Sequence, residues 1–267
     1  MVFKTTEKNR KIAFSKLFNQ INLIFFMTKI VMVTAYDYPS AKIVDEAGID
    51  IILVGDSVAN VVHGMKSTRE IGMNEMLVHV KAVARAEPKA MIIADMPYRS
   101  YSTPKTALAN AKKFLKAGAN AVKIEGQKQK IAKALSKNKI RVMGHIGYLP
   151  QSDAKPIVKK DAEKLIDSAI ALEKAGCSWI VLELVPEKIS RLISDTLTIP
   201  TIGIGAGKYC AGQVLVFHDL VGLNADDSFN PRFLKKYANL KKDAVAAVKK
   251  YAKDIQEGKF PAKKNSY

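Results

Sequence analysis

A (β/α)8 barrel is the fold class this sequence predicts, and three observations predict it. Short apolar runs alternate with helix-like segments along most of the chain. Five of those runs end in, or just before, an ionisable residue: Ile51-Ile52-Leu53-Val54 before Asp56, Met91 to Asp95, Ala121 to Glu125, Val142 to His145, and Trp179 to Glu183. The length of 267 residues suits one such barrel, which typically takes about 250 residues. Strands covered by helices on both faces read as continuous apolar runs. Barrels of this class keep their chemistry at the carboxyl ends of the strands, where these polar groups would stand.

The first strand is Ile30 to Ala35, followed by Tyr36-Asp37-Tyr38 and a helix with Pro39 in its first turn that closes at Gly48. The second strand leads through a polar loop to a helix from Met73 to Ala86, with Met76, Val80 and Val83 on one stripe. The third strand ends at Asp95, and Thr103-Pro104 supplies an N-cap and a first-turn proline for the helix that runs to Gly118. In the fourth strand Val122 and Ile124 share one face, while Lys123 and Glu125 share the other. An apolar pair facing the helices leaves a lysine and a glutamate facing the barrel axis. An internal ion pair is one reading of it, but a buried pair adds little stability and usually has a further reason.

A lysine-rich helix near Lys128–Asn138 leads to the fifth strand and His145, and residues 149–160 are irregular. Asp161–Lys174 is an amphipathic helix, the sixth strand gives Glu183, and Pro186 opens another helix. The seventh strand begins at Thr201 after Pro200, and the eighth is Val214 to Asp219. Only seven residues lie between Gly205 and Gln213, too few for a crossover of about 10–12 residues. A short or missing seventh helix is therefore expected. The stretch from Pro231 to Glu257 is expected to be helical and to cover the bottom or rim of the barrel.

Bulk properties exclude several classes. A hydrophobic content of 48% with 25% charged residues is that of an ordinary globular protein. No apolar stretch approaches the roughly 20 residues of a membrane span, so no membrane role is expected. Cys177 and Cys210 show neither CxxC nor zinc spacing, which makes a reduced, cytoplasmic compartment the default. The net charge of +18 raises nucleic-acid binding, but residues 1–30 contribute +5 and residues 232–267 contribute +8. No aromatic-basic interleaving accompanies it, and a solvated lysine-rich surface with no nucleic-acid partner is the reading preferred. Residues 1–28 are basic, with a single arginine and a single serine. They are expected to form a loosely packed N-terminal extension, or an over-long start before Met27, rather than a targeting peptide. Residues 29–267 then form one barrel domain with C-terminal helices.

The strand ends offer Asp56, Asp95 and Glu125 as oxygen donors, with Lys123 and His145 nearby. Clustered carboxylates repel unless a proton or cation intervenes, and hard oxygen donors without cysteine suit Mg²⁺. Gly203-Ile204-Gly205-Ala206-Gly207 could cradle a phosphate, yet it lacks GxGxxG spacing and a following helix, so close backbone packing is at least as good a reading.

Seven segments occur in an order that carries a resemblance. They are Thr34-Ala35-Tyr36-Asp37-Tyr38, Val54-Gly55-Asp56-Ser57, Ala94-Asp95-Met96-Pro97, Val122-Lys123-Ile124-Glu125-Gly126, Gly144-His145-Ile146-Gly147, Leu182-Glu183-Leu184-Val185-Pro186 and Ile202-Gly203-Ile204-Gly205-Ala206-Gly207. Across roughly residues 28–262 the sequence closely resembles the ketopantoate (3-methyl-2-oxobutanoate) hydroxymethyltransferase family. The resemblance implies a barrel of the phosphoenolpyruvate/pyruvate-like kind and Mg²⁺ as cofactor. It implies hydroxymethyl transfer from 5,10-methylenetetrahydrofolate, or a modified folate, to the 2-keto acid 3-methyl-2-oxobutanoate, in pantothenate and coenzyme A synthesis. It implies Asp56, Asp95 and Glu125 as metal-site acids, and Asp56, Ser57, Asp95 and Lys123 as keto-acid contacts. Glu183 is implied as the proton acceptor, with His145 the alternative base because its unperturbed pKa lies nearer neutral. A large homo-oligomer, a decamer in many members, is implied as well.

The sequence also departs from the family pattern. After Leu149-Pro150-Gln151-Ser152 a glycine-rich loop is shortened to Asp153-Ala154-Lys155-Pro156-Ile157, and Arg69-Glu70-Ile71-Gly72 replaces a Leu-Pro-Val-Thr-like run. Lys263-Lys264-Asn265 stands where acid-acid-His is usual. The rival enzyme reading is a Mg²⁺-dependent 2-keto-acid carbon–carbon lyase or mutase on the same barrel. Such a lyase would need a cysteine in a mouth loop, where neither Cys177 nor Cys210 is well placed.

Overall fold

The computed structural model describes residues 28–153, 155–226 and 228–267. The expectation for residues 1–28 thus falls, apart from Thr28, outside the described residues. Eight parallel strands close a barrel in sequence order. They are β1 (Ile30–Thr34), β2 (Ile51–Val54), β3 (Met91–Asp95), β4 (Ala121–Glu125), β5 (Val142–Gly147), β6 (Trp179–Glu183), β7 (Thr201–Ile204) and β8 (Gly212–Leu215). The main covering helices are α1 (Tyr38–Glu46), α3 (Met73–Arg85), α4 (Pro104–Ala117), α5 (Gln129–Lys137), α6 (Ala162–Lys174) and α7 (Glu187–Thr196), with a single turn, α2 (Val58–Val61), after β2.

Local chemistry starts these helices where the sequence predicts. The Asp37 side chain accepts from Ser40 N and completes a capping box, Thr103 caps α4, and Asp161 accepts from Lys164 N to open α6. Met76, Val80 and Val83 are the buried stripe of α3. The strand alternation then sorts two cores. Val122 and Ile124 pack outward among the helices, whereas Met91, Ile93, Ala121, Met143 and Trp179 fill the barrel interior.

The crossover from β7 to β8 is direct: no helix lies between them, yet Ile202 pairs with Gly212 and Gly203 with Gln213 in parallel register. Three expectations need correction. The eighth strand stops at Leu215, and Phe217–Leu220 is a single helical turn, α8, that carries His218 and Asp219. The C-terminal helix, α9, spans Leu240–Gln256 rather than starting near Pro231. It also buries none of its residues, so it does not cover the barrel as a packed layer. Its start is tied to the segment after β8, through Leu240 N to Val221 O and Lys241 N to Gly222 O.

Candidate active site

At the carboxyl ends of β2 to β6 the inner face of the barrel changes from apolar to charged. Strand register sets the neighbours: Asp95 pairs with Lys123, Glu125 with His145, and Gly147 with Glu183. Lys123 Nζ donates to Asp95 Oδ1 at 2.6 Å and stands 3.6 Å from Glu125 Oε1. The expected axis lysine is there, but its tighter partner is the acid on the neighbouring strand. Asp56 follows β2, and its backbone N–H donates to Asp95 Oδ2 at 3.1 Å. A Cβ on Gly55 would crowd the Ser57 hydroxyl, at 3.0 Å, while meeting Asp95 Oδ2 at an ordinary 3.5 Å.

His145 lies between two carboxylates. Its Nδ1 is 3.3 Å from Glu125 Oε1 and its Nε2 is 3.2 Å from Glu183 Oε2. Both are ion-pair distances, though neither contact meets hydrogen-bond geometry. Glu183 is the most exposed of the group, with 17% of its side chain accessible against 1% for His145. At Gly147, whose φ is +97°, any Cβ would run into Glu183 O. Leu184, directly after Glu183, holds φ +50°, a conformation that costs energy in a non-glycine residue.

Electrostatics follow from burial. Burial raises Asp56 well above the usual carboxylate range, and the charges of Asp95 and Glu125 push it further the same way. Burial also raises Asp95, against the pull of Lys123. Glu125, despite its burial, is held low by His145 and Lys123. Burial pulls Lys123 down, but the surrounding acids outweigh it and keep the ammonium charged. His145 is pulled down by burial and by Lys123, yet Glu125 and Glu183 lift it to about 9.

Four carboxyl groups here face one ammonium and one imidazole, so with all four ionised an excess of two negative charges remains even with His145 protonated, and the raised Asp56 and Asp95 reflect that repulsion in part. That excess, and a donor set made of hard oxygens, fits a divalent cation of the Mg²⁺ type. Among the described residues no three His, Cys, Asp or Glu side chains form a ready-made metal cage. In this arrangement the amide of Gln151 is on Asp56 and the ammonium of Lys123 is on Asp95.

Ser57 is brought to the same rim, with its hydroxyl 2.8 Å from Tyr36 Oη. Asp56, Ser57, Asp95, Lys123, Glu125, His145 and Glu183 are thus assembled together. Tyr36, Tyr101 and Gln151 were not foreseen as site residues. Tyr36 stands in the first of the seven segments and Gln151 in the stretch just before the shortened loop, whereas Tyr101 carries no sequence signal. The Gly203–Gly207 run serves close packing: a Cβ on Gly203 would lie 3.0 Å from Cys210 Sγ, and Ser190 Oγ donates to Ala206 O. Cys177 is buried beside Gly144 among the helices, and burial pushes its thiol up to about 12. A mouth-loop cysteine of the lyase type is not what it offers.

The family described as ketopantoate hydroxymethyltransferase matches residues 21–263. The 3-methyl-2-oxobutanoate hydroxymethyltransferase of Thermotoga sp. (strain RQ2) is 51% identical over 249 residues, covering 90% of this chain and 92% of that protein. The protein of the same name from Staphylothermus marinus is 49% identical, with coverage of 90% and 91%. Among solved structures, 2,3-dimethylmalate lyase superposes with TM-score 0.59 at 17% identity, covering 91% of this chain and 89% of that one. A phosphonopyruvate hydrolase complex with oxalate and Mg²⁺ superposes with TM-score 0.61 at 14% identity, covering 92% of each chain. At such identities these neighbours speak for the barrel alone.

Proposed function

The chain belongs to the ketopantoate hydroxymethyltransferase family, and on that premise we propose that it adds a hydroxymethyl group to C3 of 3-methyl-2-oxobutanoate. The product is 2-dehydropantoate (ketopantoate), a precursor of pantothenate and coenzyme A. The one-carbon donor is 5,10-methylenetetrahydrofolate or a modified folate. The observation that carries the reading is the run of charges from Asp95 through Lys123, Glu125 and His145 to Glu183, which ends at a part-exposed carboxylate.

In this reading Asp56, Asp95 and Glu125 hold Mg²⁺, which when bound supplies Lewis acidity to a 2-keto acid. Asp56, Ser57, Asp95 and Lys123 hold the keto acid itself. Lys123 stays charged and aims its ammonium where negative charge grows on the keto oxygen. Glu183 takes the proton from C3. His145 is the poorer base on geometry, because each ring nitrogen already faces a carboxylate and the ring is buried. It braces Glu125 and Glu183 instead.

Residues 29–267 act as one catalytic barrel. No helix among the described residues is long and apolar enough to cross a membrane, and the chain works in the cytoplasm on small molecules, without nucleic acid. It assembles with copies of itself, a decamer by resemblance. Val245, Val248, Tyr251 and Ile255 leave an exposed apolar stripe on α9 that supports this.

The test is formation of ketopantoate from 3-methyl-2-oxobutanoate and methylenetetrahydrofolate. Activity is expected with Mg²⁺, to vanish in EDTA, and to return when Mg²⁺ is restored. Full turnover in EDTA would overturn the metal assignment, and no product under any divalent ion would overturn the reaction.

A further inference from the structure

We propose that Gln151 is a positioning residue of this site, tying Asp56 and Glu125 to the mouth loop while leaving the charge of Asp56 for a cation and the keto acid. The inference rests on the metal and substrate reading given above.

Gln151 comes from the irregular loop after β5 and is only 2% exposed. Its amide Nε2 donates to Asp56 Oδ2 at 2.8 Å and to Met96 O at 3.0 Å. Its Oε1 accepts from Tyr101 Oη at 2.5 Å. This orientation is dictated by chemistry, because a carboxylate and a carbonyl can only accept, while the tyrosine has a proton to give. The backbone N–H of Gln151 donates to Glu125 Oε2 at 3.1 Å, and Glu125 N donates back to Tyr101 Oη at 3.3 Å. One residue therefore spans the ends of β2, β3 and β4, and both amide hydrogens are used.

The residue type matters. A neutral carboxamide satisfies one Asp56 oxygen without cancelling its charge. A lysine there would supply the positive charge that a metal ion otherwise brings, and a glutamate would add to the repulsion among Asp56, Asp95 and Glu125. The loop that delivers Gln151 is pinned at its stem by this chain's own residues. Arg69 Nη2 donates to Ser152 O at 2.8 Å, and Asp153 accepts from Leu149 N at 2.9 Å and from Lys159 Nζ at 3.0 Å. Both Arg69 and the Asp153 segment lie where the sequence departs from the family pattern, so the shortened loop is held by contacts of its own.

The test is a Mn²⁺ titration of the full chain followed by the resonance of the free ion, alongside melting temperature, KM and kcat. Gln151→Met keeps the volume but loses the amide, and Mn²⁺ affinity is expected to fall about 10- to 100-fold, the range for lost partners of metal ligands. KM for the keto acid should rise more than kcat falls. Gln151→Lys is expected to abolish Mn²⁺ binding while keeping or raising the melting temperature, a split that a purely structural role would not produce. If Gln151→Met binds Mn²⁺ and keto acid within about twofold of wild type, or if Gln151→Lys binds Mn²⁺ normally, the inference is overturned. Wild-type protein that binds no Mn²⁺ would instead overturn the metal reading, and this inference with it.

Discussion

The barrel axis has two floors built on opposite rules. The lower floor, with Ile93, Ala121, Met143, Trp179 and Val181 among its residues, is apolar and buried. The upper floor holds Asp95, Lys123, Glu125, His145 and Glu183. Each upper residue lies two positions beyond a lower one on the same strand or, for Glu125, beyond Lys123. The same inner face of the sheet thus changes character over about 7 Å, two residues of strand rise. The lower floor stabilises by removing apolar surface from water. The upper floor buries charges that only partners can offset. Stability and chemistry are therefore separated along the strands, and substitutions on the two floors should behave differently.

The largest effect should come from Glu183, followed through solvent deuterium exchange into C3 of the keto acid without folate. Wild type is expected to exchange when Mg²⁺ is present. Glu183→Gln should lose exchange and transfer together, by about 10²- to 10⁴-fold, as for a general base. His145→Asn should keep measurable exchange. Wild-type exchange in Glu183→Gln with none in His145→Asn would make His145 the base.

Next in size is a cavity in the lower floor. Met143→Ala should cost about 2–5 kcal/mol in denaturant unfolding, yet leave Mn²⁺ affinity of the folded protein unchanged. A large loss of Mn²⁺ affinity would show that the floors are not separable.

Asp56→Asn should do the reverse. Folding favours the protonated form of Asp56 because its pKa is raised, so the ionised form is the costly one at neutral pH, and asparagine mimics the neutral one. The melting temperature of metal-free protein should rise by about 2–4 °C for each kcal/mol gained, while Mn²⁺ and keto-acid binding weaken. A variant less stable than wild type would break this part of the comparison.

His145 should also give metal-free protein a pH slope in stability. Its pKa rises from 6.5 to about 9 on folding. The stability it contributes is therefore fully present below pH 6.5 and lost as the pH climbs through about 9. His145→Asn should flatten the fall in melting temperature across that window, and an unchanged slope would assign it to other groups.

Much of this was legible in the sequence because the signals are local. A strand's period of two places Lys123 and Glu125 inward once Val122 and Ile124 face the helices, and Thr103-Pro104 and Asp161 cap helices using atoms three residues away. Such patterns also put Asp56, Asp95, Glu125, His145 and Glu183 at strand ends, on an eight-stranded barrel with a short or missing helix between its last two strands. Tertiary structure decided what depends on distant contacts. Residue type alone could not rank Asp95 above Glu125 as the partner of Lys123, because inter-strand register sets it. The eighth strand stops at Leu215, where Phe217 N bonds to Thr34 Oγ1 of β1 rather than continuing a ladder. Gln151 meets Asp56 across 95 positions of sequence. No periodicity reports such a meeting, because a loop's path is set by what the closed barrel places beneath it.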